Sequence, residues 1–164
     1  MNVPPDRRGL ISANDSAALM GFKKLRDENF KNNLLKQAHI YYEFSEKDLL
    51  SKKNVLRSFD SLSTVYGANI QDFVVEFSVP TKINCIILRE AIRLGQTIRK
   101  FKIELLLHDK PVKEISGTTI GRKRILTFSA TTITSFRVHL DDKNGNDNVS
   151  GVAAYFINEN LIGK

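Results

Sequence analysis

The apolar residues of this chain change their spacing near Lys36, and that change limits the fold more than any other feature. Before it, Ala18, Leu19, Phe22, Leu25 and Phe30 recur at helical spacing, while Lys23, Lys24, Asp27, Glu28 and Lys31 take the other side. Ser12 is placed to cap such a helix, with Asp15 three residues on to reach back to its backbone N–H. No proline intervenes before about Asn33, so the spacing predicts one amphipathic helix of roughly 20 residues. A lone helix cannot bury its own stripe, so this one needs a partner.

After Lys36 the period becomes two. Residues 72–77 and 83–88 are rich in β-branched and aromatic side chains, and Phe101, Ile103 and Leu105 alternate with Lys102, Glu104 and Leu106. Residues 124–128, 136–140 and 152–157 complete the set, and Asp109-Lys110-Pro111, Ser116-Gly117 and Asn144-Gly145 read as turns between strands. Roughly seven or eight short strands at this spacing predict an antiparallel β-sandwich preceded by the helix. Residues 45–63 have the weakest periodicity and read as a long loop.

Several chemistries find little support. Cys85, the one cysteine, lies in the apolar run Ile83-Asn84-Cys85-Ile86-Ile87-Leu88 and reads as a small buried hydrophobe, with no cysteine-built zinc site available. The net charge of +7 suggests nucleic acid, but the excess is spread over both parts of the chain. Its clusters, Arg99-Lys100 with Lys102 and Arg122-Lys123-Arg124, have no aromatic platform between them, so no nucleic-acid partner is expected. No apolar run approaches the roughly 18 residues of a membrane span. His39, His108 and His139 lack metal-ligand spacing, so no metal and no cofactor is expected. A glycosidase requires two carboxyl groups about 5–5.5 Å apart or wider. Asp141-Asp142 reads as a solvated turn pair, and Glu104 has no acidic neighbour two residues away. Gly117 and Gly121 flank a loop with no helix behind it to cradle phosphate. Asn14-Asp15-Ser16 and Asn148-Val149-Ser150 match the glycosylation acceptor pattern, which chance often produces.

Two separated motifs carry a resemblance. Asn2-Val3-Pro4-Pro5-Asp6-Arg7-Arg8-Gly9-Leu10-Ile11 resembles the segment that ends the catalytic barrel of family 29 α-L-fucosidases. Leu94-Gly95-Gln96, Arg99-Lys100-Phe101 and the run from Ser116-Gly117-Thr118-Thr119-Ile120-Gly121 to Arg122-Lys123-Arg124-Ile125-Leu126 resemble the sandwich that follows it. The resemblance implies that residues 1–35 are the last loop and helix of the barrel. Residues 36–164 would then be an antiparallel jelly-roll β-sandwich of the discoidin, galactose-binding-domain-like kind. It further implies a parent enzyme that removes terminal α-L-fucose with retention, through an aspartate nucleophile and a carboxyl acid/base. Both of those would precede Met1, so no catalytic residue carries over, and the start of the chain reads as a cut within a longer gene.

The chain also departs from the family. Ser61 and Tyr66 stand where relatives carry glycine and tryptophan, and Gly151 stands where they carry glutamate. Gly151 offers no side-chain ligand, so the structural calcium of related sandwiches is not expected. Tyr66 is the one candidate for stacking a sugar ring. Expected partners are the upstream barrel of the same chain, glycans, and a second copy through the unpartnered helix; the parent would be periplasmic or secreted. The leading functional expectation is an accessory sandwich buttressing the barrel. The alternatives are a carbohydrate-binding module that tethers the enzyme to glycans and an unrelated adhesion or interaction sandwich.

Overall fold

A computed structural model describes residues 12–43, 72–90, 92, 95–143 and 149–162. The chain divides into two compact units that part between Asn32 and Asn33. The first holds helix α1, Ala13–Phe30. Ser12 caps it as the sequence indicates, its hydroxyl oxygen accepting from the Asp15 N–H at 3.1 Å. The Asp15 carboxylate reaches back as well, but to the Ser12 hydroxyl, at 2.7 Å. Ala13, Ala17 and Met20 fall on the polar side of the wheel at 100° per residue, so the segregation is shallower than the stripe alone suggests. Leu19, Met20, Phe22 and Leu25 are exposed.

The second unit is an antiparallel β structure. After a single 3-10 turn, Leu34–Gln37, come β1 (Ala38–Glu43), β2 (Asp72–Glu90), β3 (Ile98–Leu107), β4 (Lys110–Gly117), β5 (Arg124–Lys143) and β6 (Val149–Tyr155). The strands pair in the order β1-β2-β5-β3-β4, and β6 joins β2. All these pairings are antiparallel.

The expected short strands fuse into longer ones. Residues 72–77 and 83–88 are the two halves of β2, and residues 124–128 and 136–140 those of β5. The halves of β2 meet at an irregularity, where Glu76 opposes Ser135 and Thr81 opposes Ile133, so residues 77–80 face Thr134 alone. Pro80, which has no N–H to donate, sits where the ladder is interrupted and costs it no bond. β1 pairs with the first half of β2 and β6 with the second. Yet Phe73, Val75, Ile83, Ile86 and Leu88 from both halves join Phe101, Ile103, Phe136 and Val138 in one buried cluster. Both halves of β2 thus contribute to the same core.

Two expected turns, Asp109-Lys110-Pro111 and Ser116-Gly117, are revised, because β4 runs through residues 110–117. The hairpin between β3 and β4 turns on His108-Asp109, both at positive φ (50° and 64°), the twist that a two-residue hairpin requires. Lys110–Gly117 is therefore a strand, with Pro111 tolerated because β4 is the edge of the sheet. The readings for residues 45–63, Tyr66 and Asn144-Gly145 lie outside the described residues.

Candidate functional site

The described part of the motif that begins at Leu94, from Gly95 to Leu126, resolves into one junction, and its centre is Glu90. This carboxylate closes β2 and is 4% exposed. Its Oε1 accepts from the Thr97 N–H at 2.6 Å, the Ile98 N–H at 3.0 Å and the Thr97 hydroxyl at 3.2 Å. Its Oε2 accepts from the Gly121 N–H at 3.0 Å, while the Glu90 N–H donates to the Gly121 carbonyl at 2.9 Å. One buried carboxyl group thus ties the entry to β3 and the connection from β4 to β5 onto the end of β2. Burying a carboxylate is tolerable because its lone pairs are taken by N–H and O–H donors.

The glycines of the motif have separate reasons. Gly121 (φ 62°) and Gly95 (φ 94°) adopt left-handed backbone that side chains resist. Gly117 lies opposite Phe101 in the β3–β4 ladder, and a Cβ there would fall 2.7 Å from the ring's Cε1. Phe101 is fully buried and has nowhere to retreat. Sequence reading singled out these glycines but missed Glu90, whose partners lie up to 31 residues away. The one local signal was a charged residue ending the apolar run of β2.

A second polar device uses a bulge. The β2–β5 register slips between Ile83 and Cys85, leaving Asn84 without a ladder partner. Its buried side chain accepts from the Ile157 N–H at 2.7 Å and donates to the Ile157 carbonyl at 2.8 Å, holding the segment after β6 as another strand would. Cys85 beside it is fully buried, and burial pushes its thiol up to about 11, opposed by the nearby Lys123 charge. At neutral pH it is a protonated thiol, not a nucleophile.

Acidic chemistry was the last possibility. Glu104 does have an acidic neighbour, across the ladder rather than along the strand: Glu114 on β4. Sequence spacing could not reveal this, because lateral neighbours depend on register. Lys102 stands between them, 3.0 Å from Glu104 Oε1 and 3.7 Å from Glu114 Oε2. Arg137 and His139 on β5 approach Glu104 Oε2 at 3.9 and 3.5 Å. The hydrogen bond from the Lys102 ammonium holds the Glu104 carboxyl below the usual carboxylate range, against a smaller opposing effect of burial. The same bond raises Lys102. A glycosidase acid needs its pKa raised instead, so this pair is poised as a structural ion cluster.

The remaining candidates are scattered. His39 is exposed on β1, His108 occupies the hairpin turn, and Asp141 is exposed near the end of β5. No group of three or more His, Cys, Asp or Glu among the described residues could hold a metal ion. No described helix is long and apolar enough to cross a membrane. Gly151 lies on β6 opposite Arg89, whose Cδ is 3.6 Å from where a Cβ would stand. Tyr66 and the first loop lie outside the described residues.

Fold and site together describe a mostly β, antiparallel domain whose described acidic groups of interest, Glu90 and the Glu104 cluster, are engaged in holding it together. No family model matches the chain. It is 33% identical over 135 residues to α-L-fucosidase 1 of Arabidopsis thaliana, covering 78% of this chain and 27% of that protein. A candidate α-L-fucosidase structure from Bacteroides ovatus matches 99% of this chain and 24% of its own, at 28% identity and a TM-score of 0.63. A Ruminococcus gnavus family 29 fucosidase, solved with fucose, shares the fold at 21% identity and a TM-score of 0.67, covering 99% of this chain and 34% of its own. These relatives and structural neighbours are α-L-fucosidases of family 29, and the match covers a fragment of each, consistent in size with a C-terminal region. It spans about a quarter of the length of the curated relatives it matches.

Proposed function

We propose that this chain is a non-catalytic accessory β-sandwich of an α-L-fucosidase, folded as a discoidin-like jelly roll and buttressing the domain that carries out the chemistry. The observation that carries this reading is the combination of a match confined to 27% of a fucosidase with the state of the Glu104 cluster. Its carboxyl is held ionised by Lys102, the opposite of what protonating a leaving group needs. In this reading the parent releases terminal α-L-fucose, and the nucleophile and the acid/base lie in the part of such a polypeptide that precedes this one. Its partner is that preceding domain.

The test is an activity assay on the chain alone. Incubated with an aryl α-L-fucoside between pH 4 and 8, it should give no turnover above a buffer blank. Turnover that survives repurification, and is lost in Glu104→Gln, would place catalysis in this chain and overturn the reading.

A further inference from the structure

We propose that the end of the sandwich gathered around Glu90 is the surface by which this chain packs on the rest of its polypeptide, with Arg89, Arg122 and Arg124 meeting acidic side chains there. The inference rests on the accessory reading above and adds a location and a chemistry to it.

The first support is how firmly an exposed connection is held. Thr118, Thr119, Arg122 and Lys123 are all exposed, yet the loop that carries them is fixed from beneath. Gly121 is bonded through both its N–H and its carbonyl to Glu90, and Ile120, 4% exposed, is sunk into the core. A surface loop already locked in one conformation loses little entropy when something docks on it.

What the loop displays is the second support. Arg122 and Arg124 follow Gly121 on the segment that Glu90 holds, and Arg89 precedes Glu90 on β2, so all three positions lie at the end where β2 closes, with Arg124, opposite Leu88, on the other face of β2 from Arg89. All three are exposed, and no acidic group among the described residues lies within ion-pair distance of them. Clustered like charges favour an acidic partner. Ile125, 46% exposed, lies next to Arg124 in the chain, and Ile92, 45% exposed, follows the end of β2. Arginine with exposed aliphatic side chains is the composition of interface centres, not of ordinary surface.

A contrast within the molecule points the same way. The outer face of β3, β4 and β5 also bears charge, but Lys102, Glu104, Glu114, Arg137 and His139 neutralise one another there. That face is satisfied on its own, whereas Arg89, Arg122 and Arg124 have no acidic partner among the described residues. The occupant follows from length: some three quarters of a polypeptide like the Arabidopsis relative lies outside the match and has to be held against this unit somewhere.

Amide hydrogen exchange decides the matter, comparing this chain alone with the longer fucosidase polypeptide that carries it. The expected result is exchange at least about tenfold slower in the longer polypeptide at Thr118, Thr119, Arg122 and Lys123. The double variant Arg122→Glu/Arg124→Glu should lower the Tm of the longer polypeptide and leave that of the isolated chain unchanged. Lys110→Glu, at the opposite end of β4, should change neither. Protection confined to the outer face of β3–β5 would overturn the location and leave the accessory reading standing. No protection anywhere in this chain would remove both. Protection that appears in the isolated chain with rising concentration would assign the surface to a second copy, and slowing on addition of a sulfated polysaccharide alone would assign it to an anionic glycan. Either result overturns the proposal.

Discussion

Replacing Glu90 tests most sharply whether the junction is held by acceptor count. Glu90→Ala removes the acceptor of three N–H groups and one hydroxyl. The Ile98 N–H belongs to a fully buried residue and finds no water, which costs about 1–3 kcal/mol. Thr97 and Gly121 are half-buried, so their groups recover part of their hydration, at about 0.5–1 kcal/mol each. Summed over the Ile98 N–H and these three groups the loss is about 2.5–6 kcal/mol, a large share of the roughly 5–15 kcal/mol that holds a domain together. Glu90→Gln is the sharper variant. Its amide oxygen can keep the bonds from Thr97 and Ile98, but its NH2 then faces the Gly121 N–H, donor against donor, for a loss of about 1–2 kcal/mol. Urea unfolding of the Asn33–Lys164 unit, followed by circular dichroism, reads both. With a slope of about 2 kcal/mol/M, the midpoint should fall by about 1.3–3 M for alanine and 0.5–1 M for glutamine. Two variants within 0.5 kcal/mol of the parent, or glutamine as costly as alanine, would refute the reasoning.

Three further outcomes are expected. Gly117→Ala should cost about 1–3 kcal/mol by urea unfolding, because its Cβ meets the immobile Phe101 ring; an unchanged midpoint would mean that the ring is not where the fold puts it. Glu104, with its pKa lowered in the folded state, adds stability that is present above its unfolded value of about 4.3 and is lost as pH falls through the lower folded value. Glu104→Gln should therefore flatten the acid limb of a stability–pH curve below about pH 4.3, and an identical acid limb would contradict the pairing with Lys102. Deleting residues 1–32 should leave the sandwich folded, whereas deleting 1–35 should lower its Tm by several degrees. The longer deletion removes the Asn33 side chain, which accepts from the Leu35 N–H at 3.1 Å and the Ala154 N–H at 3.2 Å, and also removes Leu35 from the core.

Local signals in the sequence were read faithfully, and non-local ones were not. Ser12 as a cap depends on its neighbours within one helical turn, and the change of period at Lys36 follows from the alternation itself. Both could be read directly. The fusion of short strands into β2 and β5 could not, since Pro80 looks like an end when it sits in a bulge. β4 was hidden by Pro111, which only the edge position of that strand excuses. Glu90, Asn84 and the Glu104–Glu114 pairing depend on residues brought together by register across many positions, and no window of sequence holds both partners. The glycines of the junction stood out as a motif, but the carboxylate that gives Gly121 its place did not.

Whether this unit buttresses the catalytic part of a fucosidase is tested most directly by taking it away. In the longer polypeptide, a stop after Asn32 removes the sandwich and leaves whatever precedes it. Activity is then followed on a small aryl α-L-fucoside and on a polymeric fucosylated glycan, together with the half-life of each at raised temperature. The account predicts that the shortened enzyme inactivates several-fold faster on both substrates, because a supporting surface has been lost. An enzyme that keeps its half-life and its rate on the aryl fucoside, and loses only its action on the polymer, would contradict it and make the sandwich a glycan tether.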